Sequence, residues 1–88
     1  MAQVIVKFDG TVDLFSASID GKKLTFSNGT ATKNLRQEEH ALQWFVKGAP
    51  NSNYKVEITA PSEAKFSHEA RLDTAMKDAG VHWFSITS

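Results

Sequence analysis

Residues Pro61–Gly80, PSEAKFSHEARLDTAMKDAG, can be read in two ways, and the choice settles the fold class. As a helix the stretch has Ser62 at the N-cap, Glu63 in the first turn, Lys77 in the last turn and Gly80 at the end. Its apolar stripe would be Leu72, Ala75, Met76 and Ala79. As a strand, Ala64, Phe66, His68, Ala70 and Leu72 alternate with Lys65, Ser67, Glu69, Arg71 and Asp73 without a break. Phe66 separates the two readings. At about 100° per residue it lies off the helical stripe and would be exposed, whereas a strand buries it beside its mates. The sequence therefore predicts a strand from about Ala64 to Leu72, a loop to Gly80 and a final strand Val81–Thr87. The alternative is an α+β chain with one helix around residues 62–79.

The flanking segments alternate in the same way. Tyr54, Val56 and Ile58 share one face of a strand running to Ala60, and Leu42, Trp44 and Val46 share one face of His40–Lys47. Nearer the N-terminus, Val4, Val6 and Phe8 face one side, as do Phe15, Ala17 and Ile19. Lys22–Ser27 reads as a returning strand burying Leu24 and Phe26. Asp9-Gly10, Asp20-Gly21 and Asn28-Gly29 are turn signals between these runs and predict an antiparallel meander. Polar Thr30–Gln37 suits a short edge strand or an extended connection. Seven to eight short strands spaced this way predict an all-β fold, a small antiparallel β-sandwich of immunoglobulin-like or fibronectin-like type, with a small barrel as the other arrangement such spacing allows. The cysteine and tryptophan hallmark of immunoglobulin domains is missing, so the resemblance is to an architecture.

At 88 residues the chain fits a single domain, 1–88, without internal repeats. It has no cysteine, so stability rests on its apolar core, each fully buried side chain adding roughly 1.5–3 kcal/mol. Ten basic and ten acidic residues are interspersed, which gives no basic face for nucleic acid or an anionic membrane, and neither partner is expected. Nothing approaches the roughly 18–20 apolar residues of a membrane-spanning helix, and Met1–Lys7 lacks the pattern of a signal peptide. Localisation is left open.

Chemistry-bearing motifs are scarce. No serine sits in a Gly-x-Ser-x-Gly elbow, and no phosphate loop, zinc-protease helix or calcium loop is present, so no enzyme activity and no cofactor are expected. His40, His68 and His82 match no metal signature, and on a strand His68 and Glu69 point to opposite faces, so no metal is expected. His68 reads as partly buried, His40 and His82 as solvent-facing. Asn28-Gly29-Thr30 fits a glycosylation acceptor pattern, but Asn-Gly is already a preferred hairpin turn.

Two aromatic doublets remain, Trp44-Phe45 and Trp83-Phe84. Neighbours on a strand point to opposite faces, so one ring of each pair must leave the core. Trp44 belongs inward with Leu42 and Val46, and Phe84 inward with Ile86, which turns Phe45 and Trp83 outward. Leu14, Val12 and Ile5 also lie on non-core faces. The expectation is a non-catalytic binding module that contacts another protein, or itself, through Phe45 and Trp83. The alternative is a carbohydrate-binding or adhesion-type module in which a flat exposed ring stacks on a sugar.

Overall fold

Asp20 and Gly21 have φ of 53° and 82°, and Asn28 and Gly29 have φ of 52° and 77°. Positive φ at both central residues is the type I′ turn, whose twist matches that of paired strands. Two of the three expected Asx-Gly turns therefore form. The third does not: Asp9 and Gly10 continue the first strand, and Gly10 lies against Tyr54 so closely that a Cβ would fall 2.6 Å from the Asn53 carbonyl oxygen. This glycine is needed for close approach rather than for a turn.

The computed structural model describes residues 2–87. Its strands are β1 (Ala2–Gly10), β2 (Leu14–Ile19), β3 (Lys22–Lys23), β4 (Thr30–Leu35), β5 (Glu39–Lys47), β6 (Asn53–Ala60), β7 (Phe66–Arg71) and β8 (Lys77–Ser85), with a single 3₁₀ turn at Ser62–Ala64. They form two four-stranded sheets, in the orders β4-β1-β6-β7 and β3-β2-β5-β8. Every pairing is antiparallel. The chain is a small β-sandwich.

The meander expected at the N-terminus is replaced by a change of layer. After Gly10 the Thr11 N–H donates to Asn53 of the first sheet and the Asp13 N–H donates to Lys47 of the second. Those backbone bonds carry the chain across, so β1 and β2 lie in different sheets. The expected strand Lys22–Ser27 shrinks to Lys22–Lys23, after which Leu24 turns into the core and Phe26 packs edge-on against Phe15. β4 is an edge strand, as its polarity predicts.

Phe66–Arg71 is a strand with alternating burial, and no α-helix occurs among the described residues. The final strand begins at Lys77, four residues before the predicted start at Val81. The predicted break at Gly80 fails for a packing reason. Gly80 pairs with Trp44 on β5, and a Cβ there would meet the indole Cζ2 at 2.3 Å. Between the sheets lie Val4, Val6, Ile19, Leu42, Val46, Val56 and Ile58, all buried, as period-2 alternation requires.

Candidate functional site

Alternation along β5 and β8 divides both doublets. Trp44 is 6% exposed and Phe45 38%, while Phe84 is 7% exposed and Trp83 64%. β5 and β8 are neighbours in the second sheet, so Phe45 and Trp83 emerge on the same outer face. Phe45 stands opposite Ala79 on β8 and Ser16 on β2, and Trp83 stands opposite Ala41. Small neighbours leave both rings uncovered.

Two further exposed residues continue the patch. Val81 lies between Ala79 and Trp83 on β8, diagonal to Phe45, and Leu14 on β2 lies diagonal to Phe45 from the other side. Diagonal positions are about 7–8 Å apart, within reach of long and aromatic side chains. Leu14, Phe45, Val81 and Trp83 therefore run in a line across three strands. Met76, the remaining exposed large apolar residue, immediately precedes β8. The paired Lys47 and Lys77 bound the line at one end, and Glu39 with Ser85 at the other. Ile5 is half-buried on the first sheet and Val12 is half-buried at the layer crossing, so neither joins the patch.

β8 is also the outer strand of its sheet. Glu38 pairs with Ile86 through the Ile86 N–H, and Gly48 with Met76 through the Gly48 N–H. Hydrogen-bonded pairs alternate along an antiparallel ladder, so the even-numbered residues of β8 bond β5 and the odd-numbered ones turn their backbone groups to the open side. The Ala79 N–H there meets the Asp78 carboxylate at 2.9 Å, and the Thr87 N–H meets that of Glu63 at 2.8 Å. Val81, Trp83 and Ser85 lie between these two caps.

Beneath the face, a polar group joins the layers. The Trp44 Nε1–H donates to the Tyr54 hydroxyl at 3.2 Å, and that hydroxyl donates to Asp78 at 2.5 Å with His68 Nε2 3.3 Å away. Burial, reinforced by the hydrogen bond to Asp78, pushes the Tyr54 pKa up to about 12. The hydroxyl stays neutral at ordinary pH and works as a fixed link between indole and carboxylate.

The expectation of a solvent-facing His40 is wrong. It is 2% exposed, with Nδ1 2.5 Å from Asp20 and Nε2 2.9 Å from the Arg36 carbonyl. Both partners are acceptors, so both ring nitrogens are best satisfied when protonated. Burial opposes the charged ring, but the Arg36 carbonyl, Asp20 and the nearby Glu38 outweigh it, and the pKa rises above the ordinary histidine value. Asp20 is raised by burial and lowered more by His40, the Ala41 N–H and Lys22, ending below its ordinary value. His82 is likewise half-buried rather than solvent-facing: it stacks on Phe66 at 3.7 Å, and burial lowers its pKa. No cluster of three potential metal ligands occurs among the described residues.

Sequence reasoning found Phe45 and Trp83 and noticed Leu14, but it missed Met76, which helical spacing had placed on an apolar stripe. Compared with protein-family models, curated proteins and solved structures, the chain matches none.

Proposed function

We propose that this chain is a non-catalytic binding module whose contact surface is the outer face of the second sheet. One observation carries the reading: Leu14, Phe45, Val81 and Trp83, all but one of the exposed large apolar side chains among the described residues, lie on that face. An apolar patch bounded by charged and polar side chains is the usual form of a protein contact surface. The parallel with immunoglobulin-like modules is one of layering, since the strand order here differs from theirs.

A second reading, a carbohydrate-binding module, draws on the Trp83 ring. It is the most exposed of these side chains, with Ser85 beside it and Gln43 close by on the same face. Such a ring can stack on the apolar side of a sugar while its polar neighbours bond hydroxyls.

Trp83 fluorescence tests both readings, using Trp44→Phe to remove the buried indole. On the protein-contact reading, emission shifts to shorter wavelength as protein concentration rises, and Phe45→Ser moves the shift to higher concentration. On the carbohydrate reading, it moves on titration with a panel of oligosaccharides at fixed protein concentration. Emission unmoved in both series sinks the proposal.

A further inference from the structure

We propose that a second copy of the chain joins this sheet at its open border, through antiparallel pairing of β8 with its own counterpart, so that the apolar faces of the two copies become continuous. The inference rests on the contact-surface reading above. It adds the open edge of β8, which that reading does not use.

Edges of sheets are normally protected because their free N–H and C=O groups template pairing. Of the four edges here, β3 has only two residues, both lysine, β4 carries Lys33 and Asn34, and β7 carries Glu69 and Arg71. β8 spans nine residues and has no proline, and from Ala79 to Ser85 it carries no Lys, Arg, Asp or Glu. The edge is therefore long, uncharged in its centre and flanked by the apolar patch.

The two carboxylate caps define where pairing occurs. Asp78 occupies the Ala79 N–H and Glu63 the Thr87 N–H, which leaves Val81, Trp83 and Ser85 between them. This window is symmetric about Trp83. A two-fold axis at that residue sets Trp83 against its counterpart and Val81 against the Ser85 of the other copy, each facing pair exchanging both N–H···O=C bonds. Neither cap has to be displaced. No like charges face one another in this register, and the two Trp83 rings meet on the apolar face as a cross-strand aromatic pair. The second sheets of the two copies become one continuous sheet, and Phe45 and Val81 of each copy line its shared outer face beside the Trp83 pair.

Sedimentation over a concentration series into the millimolar range tests this with the wild type, Val81→Pro and Phe45→Ser. The Val81 N–H takes no part in the β5 ladder, so proline removes only an open-side donor, which edge strands tolerate. The wild type is expected to move from 9.7 kDa to twice that mass, Val81→Pro to stay at monomer mass, and Phe45→Ser to keep the dimer. Amide exchange on the wild type supplies a readout independent of any variant's folding: Val81, Trp83 and Ser85 gain protection together as concentration rises. A wild type that is monomeric throughout, or those amides exchanging equally fast at every concentration, overturns the pairing. A dimer lost in Phe45→Ser but kept in Val81→Pro also overturns strand pairing, while upholding the face as the contact surface.

Discussion

The Trp44 indole packs directly against Gly80 of the neighbouring strand, with no room for a methyl group between them. The ring is held from other directions by Phe66, at 5.9 Å between centroids, His68, at 5.2 Å, and the Tyr54 hydroxyl. It cannot swing aside cheaply.

Gly80→Ala is accordingly expected to destabilise by about 1–3 kcal/mol, the usual cost of overpacking a filled core. Trp44→Ala should cost about 3–5 kcal/mol through the cavity it leaves. Because the clash needs the indole, Gly80→Ala should cost much less in a Trp44→Ala background. Denaturant titration of the two single variants and the double variant measures the coupling, and strictly additive losses would contradict the contact.

Tyr54 is the sole tyrosine of the chain, so tyrosinate absorbance reports it alone. Its raised pKa means that the folded state holds this proton more tightly than the unfolded chain. The associated stability is in full force below an unfolded value of about 10 and fades as pH climbs through about 12. Alkaline titration should give a midpoint near 12 while the fold persists. Tyr54→Phe should cost about 1–3 kcal/mol by stripping a partner from the Trp44 N–H. A folded-state midpoint near 10 would refute the hydroxyl bridge.

His40 and Asp20 make stability depend on pH in opposite directions. The His40 contribution is complete below an unfolded value of about 6.5 and is lost as pH rises through the higher folded one. The Asp20 contribution is present above about 3.9 and is lost as pH falls through the lower folded one. Asp20→Asn should therefore lower the melting temperature most between about pH 4 and 6.5. Asp20 is well exposed, so solvent screening limits the loss to about 1 kcal/mol. His82, lowered by burial, has the reverse sign: its contribution is present above about 6.5 and is lost as pH falls through the lower folded value. The test is thus the difference between variant and wild type, and a difference independent of pH would count against a charged pair.

Most of the fold was legible because burial in a two-layer sandwich follows a period of two. The same rule correctly turned Phe45 and Trp83 outward and favoured a strand through Phe66. What failed was punctuation by glycine. Asp9-Gly10 and Gly80 look like turns locally, yet each glycine makes room for a partner distant in sequence, Tyr54 in one case and Trp44 in the other. His40 was misplaced for a similar reason, since Asp20, the carboxylate that makes its burial tolerable, lies twenty residues away in the turn between β2 and β3. The patch itself could be named only conditionally. Alternation shows which side chains leave the core, whereas the pairing of β2 with β5 and β5 with β8 determines that they meet.

The brevity of β3 has a consequence for assembly. A sheet with one generous border and one stub of two lysines can join a like sheet only once, because the stub gives no foothold to a third. Under the proposed pairing, lateral growth through this sheet stops at two copies.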